Sequence, residues 1–243
     1  MKCLLSVCLV TFSVAAVSLR SAIVQSSTEA LSTAKSASTQ AMQKGVSVQM
    51  ATTSNATTMP DADSADAKIV AVTAPGSIYF GVDPIALADL TEKVRSTPFR
   101  RGQKLYIKAD ARTTYAKVLR VLDATDIGEI APPVLLTAQP QSSAAGTIVP
   151  PKGLEVLRDP PPGTQPIVVQ LVDFGQKEPE LEVDDQTVSY AELPGTLRQL
   201  LQNASDKVVR VKAEGRLPFA EVVRLIDACE SAGAKVVVGS AGV

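Results

Sequence analysis

The sequence predicts an α/β protein, α+β in the make-up of its sheets, built as two small domains in tandem. Each is expected to be a mixed β-sheet with two helices. Three observations carry this reading. Short Val- and Ile-rich runs alternate with amphipathic helical periods from Lys68 onward. The same order of elements then occurs a second time. Between the two copies, residues 139–166 are rich in Pro, Gly and Ser and include Pro160-Pro161-Pro162, which reads as a linker with stiff, extended stretches.

Composition bounds the chemistry. The chain has 243 residues, 45% of them hydrophobic, so a core can be buried. Aromatics are only 4% and Trp is absent, so the cores must be built from Val, Leu, Ile and Ala. A net charge of −1 gives no electrostatic footprint for nucleic acid. The absence of His removes the commonest metal ligand and the commonest general base near neutral pH. Cys3 and Cys8 lie near the N-terminus and Cys229 stands alone, so neither a disulfide between domains nor a Cys-based zinc site is expected. Cys229 reads as a small buried hydrophobe.

Residues 1–22 form an export segment. Met1-Lys2 precedes the uncharged run CLLSVCLVTFSVAAVSL, Cys3 to Leu19, and then Arg20. Two readings stand side by side. One is a signal peptide, with small residues near Ala16 and Ser18 for cleavage. The other is an uncleaved membrane anchor, slightly short of the roughly 20 residues a spanning helix needs. Either confines membrane contact to this segment. Residues 23–67 are rich in Ser, Thr, Ala and Gln without sustained apolar period, and are expected to be a disordered tether. Asn55-Ala56-Thr57 and Asn203-Ala204-Ser205 match the glycosylation sequon by chance.

Domain 1 is expected over 68–138. Ile69 to Val72 is a strand, Pro75-Gly76 a turn, and Ile78-Tyr79-Phe80 a second strand. Asp83-Pro84 is expected to start a helix, Asp as cap and Pro at the first position. Pro98 stops it. Leu105 to Ala109 is a strand. Thr113 or Thr114 caps a helix with Tyr115, Val118, Leu119 and Leu122 on one face, and Val134-Leu135-Leu136 closes the unit.

Domain 2, over 167–243, repeats the order. Ile167 to Val172 is a strand, and Leu181-Glu182-Val183 with Thr187-Val188 forms a hairpin around Asp184-Asp185. Ser189 caps a helix bearing Leu193, Leu197, Leu200 and Leu201. Val208 to Ala213 is a strand, Phe219, Val222, Val223 and Ile226 line a helix, and Val236-Val237-Val238 ends the domain. LYIKADARTTYAKVLRVLDATD, from Leu105, lies over VRVKAEGRLPFAEVVRLIDACE, from Val209. Lys108/Lys212, Ala109/Ala213, Arg112/Arg216, Ala116/Ala220, Val118/Val222, Arg120/Arg224 and Asp123/Asp227 are identical pairs. Tyr115/Phe219 and Asp110/Glu214 are chemically similar ones.

These segments resemble the periplasmic domain of the ExbD/TolR family. Its hallmark is a strand ending in Ala-Asp, a short turn, a helix opening with Tyr and running to an Asp, then a Gly-containing turn and a Val-rich strand. Copy one reads YIKADARTTYAKVLRVLDATDIG and copy two reads VKAEGRLPFAEVVRLIDACESAGAKVVV. GSIYFGVDPIALADL resembles the upstream strand, turn and helix. The resemblance implies an accessory component of a proton-motive-force-driven envelope transport system, in the bacterial cell envelope, acting through protein contacts in the periplasm. Its implied partners are an ExbB/TolQ-type membrane protein and a TonB/TolA-type protein, with a homodimer as a further possibility. The family's transmembrane Asp has no counterpart here, since Cys3 to Leu19 holds neither Asp nor Glu. A secreted or periplasmic binding module without a motor role is the alternative.

No catalytic residue, cofactor or metal site is expected, because no nucleophile–base pair and no phosphate-binding glycine loop is present. Asp110 and Glu214, at equivalent strand-to-helix turns, and Tyr115 and Phe219, opening the following helices, are the candidate partner-binding residues. The competing structural readings are a carboxylate near a helix N-terminus for the acids and core packing for the rings. Asp123 with Arg120, and Asp227 with Arg224, are spaced for i,i+3 ion pairs.

Overall fold

Period-two burial organises the molecule into one sheet with differently covered faces. The computed structural model describes residues 46–128, 130–139, 151–173, 175 and 179–240. The expected export segment and the first half of the expected tether lie outside the described residues.

After a short strand β1 (Thr57–Thr58), the first repeat supplies β2 (Lys68–Val72), β3 (Ile78–Phe80), β4 (Asp83–Ile85), α1 (Leu87–Ser96), β5 (Leu105–Ala109), α2 (Tyr115–Thr125) and β6 (Val134–Thr137). Strand β7 (Lys152–Leu157) follows. The second repeat supplies β8 (Ile167–Val172), β9 (Glu180–Val183), β10 (Gln186–Thr187), α3 (Leu193–Asn203), β11 (Val208–Ala213), α4 (Phe219–Ser231) and β12 (Lys235–Ser240). The result is mixed α/β, with four helices and a twelve-stranded sheet among the described residues.

The strand order is β10-β9-β8-β11-β12-β7-β6-β5-β2-β3-β4, with β1 beside β7. Equivalent strands of the two repeats are met in the same order from either end, so β7 lies on a pseudo-twofold axis. Strand β7 is antiparallel to β6 and parallel to β12. Flanking β6 and β12 therefore run in opposite directions, as an axis perpendicular to the sheet requires. Within each repeat β5 is parallel to β2 and β6, and β11 to β8 and β12. Each repeat thus contributes mixed strands and two helices, and both repeats share one sheet where two separate domain sheets were expected.

Alternate residues, Val70 and Val72, Leu105 and Ile107, Leu154 and Val156, Val169 and Leu171, Val209 and Val211, Val236 and Val238, form a continuous core with residues of all four helices. The helices therefore cover one face. On the opposite face of the first repeat, Ile69, Tyr106, Val134 and Leu136 are buried beneath Met59 and Ala62.

Three expectations are corrected. Residues 152–157, expected within the linker, are strand β7. Leu154 and Val156 are fully buried while Glu155 is exposed, the alternation of a strand. The pairing that fixes it needs both repeats, so no local signal beyond GLEVL announces it. Residues 46–67, expected within a disordered tether, lie against the first repeat instead. Ala51, Thr53, Ala56, Met59 and Ala62 are buried, and Thr53 Oγ1 is 2.7 Å from Thr137 Oγ1. Small side chains allow this segment to approach the sheet closely; a Cβ at Gly153 would lie 3.2 Å from the Met59 side chain. Lastly, Asp83-Pro84 does not start a helix. These residues form β4, which pairs Ile85 with Ile78, and α1 begins at Leu87. Pairing of two apolar residues on one face prevails over the local capping pattern.

The hairpin expected around Asp184-Asp185 is present, with both residues at positive φ, 47° and 68°. That is the turn geometry that matches strand twist. Asp184 Oδ1 also accepts the Val168 N–H at 3.0 Å, which ties the turn to β8. Ser189 and Glu192 hydrogen-bond reciprocally, Ser189 N–H to Glu192 Oε2 and Glu192 N–H to Ser189 Oγ, forming a capping box ahead of α3.

Candidate functional site

The turns that carry the four candidate residues meet where the two repeats join. The turns 110–114 and 214–218 each lead from a strand into a helix, and they lie against one another. The N-cap positions, Thr114 and Pro218, make no side-chain cap bond. The first helical N–H groups would therefore be left without partners. They find them in the other repeat. Tyr115 N–H donates to the Leu217 carbonyl at 2.9 Å, and Phe219 N–H to the Thr113 carbonyl at 2.8 Å. One residue on, Ala116 N–H donates to the Gly215 carbonyl at 2.9 Å, and Ala220 N–H to the Ala111 carbonyl at 3.0 Å. Each bond has its symmetry counterpart, so the helices cap each other's N-termini across the pseudo-twofold axis.

Close approach requires small residues. A Cβ on Gly215 would lie 2.9 Å from the Ala116 Cβ. Tyr115 and Phe219 are buried, 1% and 2% exposed. The Tyr115 hydroxyl donates to the Gly239 carbonyl in β12 at 2.9 Å, another bond between repeats. Burial pushes this phenol well above its ordinary pKa, so it stays a neutral donor.

Asp110 and Glu214 each grip the arginine two residues on. Asp110 Oδ1 accepts the Arg112 backbone N–H at 3.1 Å and Nε–H at 2.9 Å, while Oδ2 accepts Arg112 Nη2–H at 3.0 Å and the Gln49 N–H at 3.1 Å. The Arg112 side-chain bond, supported by the backbone N–H groups of Arg112 and Gln49, holds the Asp110 carboxyl down at about 2 against the opposing effect of burial. Glu214 Oε2 lies 2.7 Å from Arg216 Nε, and its Oε1 accepts the Asp173 N–H at 3.2 Å. Neither carboxylate is bonded to the N-terminal N–H groups of its own helix, which are already occupied. Their local task is to clamp the turn and, for Asp110, to anchor Gln49.

The expected i,i+3 pairs are replaced. Asp227 accepts N–H groups from Ser54 at 3.0 Å and Asn55 at 2.9 Å, pinning the N-terminal segment to α4. Asp123 pairs with Arg158, just beyond β7. Arg224 lies over the Tyr190 ring, its guanidinium carbon 4.0 Å from the centroid. Sequence reasoning missed Glu230, in the last turn of α4. Burial, then the neighbouring Asp227 and Glu155, raise its carboxyl to about 7. Cys229 is fully buried and its thiol is pushed up to about 12, a packing group without thiolate character.

The ends of the sheet are unequal. Val188 N–H bonds inward to the Leu181 carbonyl at 2.8 Å, so the N–H of Thr187, one residue earlier, faces away from β9. The equivalent position on the other edge is Pro84, opposite Tyr79. Proline has no N–H to offer, so the β4 edge is blocked where, among the described residues, the β10 edge is open.

Among the described residues no three His, Cys, Asp or Glu side chains are grouped to hold a metal ion, and no helix is long and apolar enough to cross a membrane. No curated protein matches the chain. The family described as Biopolymer transport protein ExbD/TolR matches twice, over residues 5–138 and 130–239. The double match falls on the two halves of the pseudosymmetric sheet, and with it the chain belongs to the ExbD/TolR family.

Proposed function

We propose that this protein is a non-catalytic accessory component of an envelope transport system driven by the proton motive force, acting through protein contacts in the periplasm. Family membership supports a role in biopolymer transport. The observation that carries the contact mechanism is the asymmetry of the sheet edges, open at Thr187 and blocked at Pro84. An extended segment of a partner adds to β10, main-chain bonds giving affinity. By family resemblance the partners are an ExbB/TolQ-type membrane protein and a TonB/TolA-type protein. Asp110 and Glu214 act at one remove, as clamps of the turns, and Tyr115 and Phe219 as buried ties between the repeats. The second repeat takes the place that a second copy would fill in a homodimer.

The test is affinity capture with the full chain as bait against ExbB/TolQ-type and TonB/TolA-type proteins of the same cell. Capture that is lost in Thr187→Pro and kept in Arg101→Ser, a change at an exposed position, is the expected outcome. No capture of any of these proteins, or equal capture by Thr187→Pro, would sink the proposal.

A second reading rests on the run Cys3 to Leu19, which holds no carboxylate to couple proton movement. On that reading the chain is a periplasmic or secreted binding module without a motor role. Intact mass and fractionation separate the two. A full-length, inner-membrane protein supports the motor accessory; a soluble product lacking roughly the first 20 residues supports the binding module.

A further inference from the structure

The two repeats differ beside the equivalent arginines Arg120 and Arg224, and a surface cavity lies at that place in the first repeat. Register fixes the equivalence. Phe80 faces Val70, which pairs with Ile107; Val183 faces Val169, which pairs with Val211. Both hairpins then have two-residue turns, so counting on from Phe80 and Val183 sets Leu87 against Tyr190. Arg120 and Arg224 are the identical pair already noted on α2 and α4. In the second repeat the Tyr190 ring lies against Arg224, 4.0 Å from the guanidinium carbon. In the first repeat the ring is replaced by the shorter Leu87. A cavity of about 300 Å³ opens there, lined by Ile78, Ile85 and Leu87 on one side and Lys117 and Arg120 on the other.

One wall is held in place by hydrogen bonding. Lys117 Nζ donates to the Pro75 carbonyl at 2.8 Å, and its stem crosses Gly76, where a Cβ would lie 2.5 Å from Lys117 Cδ. Gly76, at φ 93°, is required by the turn, and the lysine stem lies over it. Among the described residues neither Lys117 nor Arg120 has a carboxylate partner; the bonds they make are to backbone carbonyls. The position equivalent to Lys117 is Glu221, so only the first repeat has two cations here.

We propose that this cavity is a docking site for an aromatic side chain of a protein partner, flanked by acidic residues in the partner's chain. The ring fills the space that Tyr190 fills in the sister repeat and stacks on Arg120. The flanking carboxylates pair with Lys117 and Arg120. The aliphatic wall supplies the apolar contact. Occupancy does not depend on the transport role or on the β10 edge, which lies at the other end of the sheet.

The experiment titrates the full chain with the acetylated, amidated tripeptide Glu-Tyr-Glu and follows heat and amide shifts. Saturable binding is expected, with shifts at Gly76, Ile85 and Leu87. Replacing the peptide's Tyr by Ala, or Arg120 by Gln, is expected to weaken binding about tenfold, as loss of a stacked, charge-assisted contact implies. Leu87→Tyr installs the sister repeat's ring and is expected to abolish binding while the thermal midpoint stays level or rises. Should that variant fail to fold, Arg120→Gln, a change at an exposed position, carries the test. Absence of saturable binding, equal binding of the Ala peptide, equal binding of free tyrosine, or binding unchanged by both variants would overturn the proposal.

Discussion

Replacing Asp110 by Asn removes a charge from a carboxylate that is 3% exposed and accepts four hydrogen bonds. The side chain keeps its size, so packing is conserved while the charge and one acceptor oxygen are lost. A carboxyl drawn from its ordinary 3.8 to about 2 is linked to about 2 kcal/mol of stability near neutral pH. Arg112 is two-thirds exposed, at 66%, and solvent screens its side of the pair. The expected loss for Asp110→Asn is therefore about 1–2 kcal/mol at pH 7. Because the native pKa is depressed, this contribution is complete above the unfolded value and disappears as pH falls through 4 towards 2. Urea unfolding of both proteins between pH 7 and pH 2 measures it. The two curves should converge at the acid end. A second readout is local: Gln49 loses its acceptor, so cleavage by added protease near Gln49 should accelerate. A destabilisation below about 0.3 kcal/mol at pH 7, or one independent of pH, would refute the view that Asp110 clamps its turn and the N-terminal segment.

Two further outcomes follow from buried groups. Glu230 titrates near 7, above its unfolded 4.5, so the folded state binds the extra proton and stability falls as pH rises from 4.5 through 7. Glu230→Gln should abolish most of that slope, gaining about 1–3 kcal/mol at pH 8 after allowance for partial exposure; an unaltered slope in pH-resolved unfolding would contradict it. Leu154→Ala, at a fully buried site in β7, should cost about 3 kcal/mol by loss of contacts and residual cavity. That corresponds to a fall of roughly 6–12 °C in Tm for a unit of this size, and a change under about 0.5 kcal/mol would mean that β7 is not part of the shared core.

Local patterns made much of the fold legible. Leu105 to Ala109, Ile167 to Val172 and Val208 to Ala213 are strands with the expected limits, because β-branched runs bounded by turn residues need no distant information. The helices opening at Tyr115 and Phe219 follow from their apolar spacing. What escaped depends on residues far apart in the chain. Strand β7 is specified by β6 on one side and β12 on the other, and Pro-rich flanks disguise it. The Ser54-Asn55 N–H groups are held by Asp227, 172 residues from Asn55. Asp83 resembles a helix cap until Ile85 is paired with Ile78. Of the candidate site, the sequence singled out, through the Asp110/Glu214 and Tyr115/Phe219 equivalences, the turns at which the repeats meet. It could not disclose that the turns hold each other, because that bonding is between main-chain groups and follows from the pseudosymmetry of the folded pair.

Photo-crosslinking in cells tests the central claim most directly, with a benzophenone amino acid placed at Thr187 and, separately, at Pro84 and Arg101. A crosslink from position 187 to a TonB/TolA- or ExbB/TolQ-type protein, absent from positions 84 and 101, is the predicted result. Crosslinks to those proteins that are equal at all three positions, or arise only at position 84, would contradict contact through the open β10 edge.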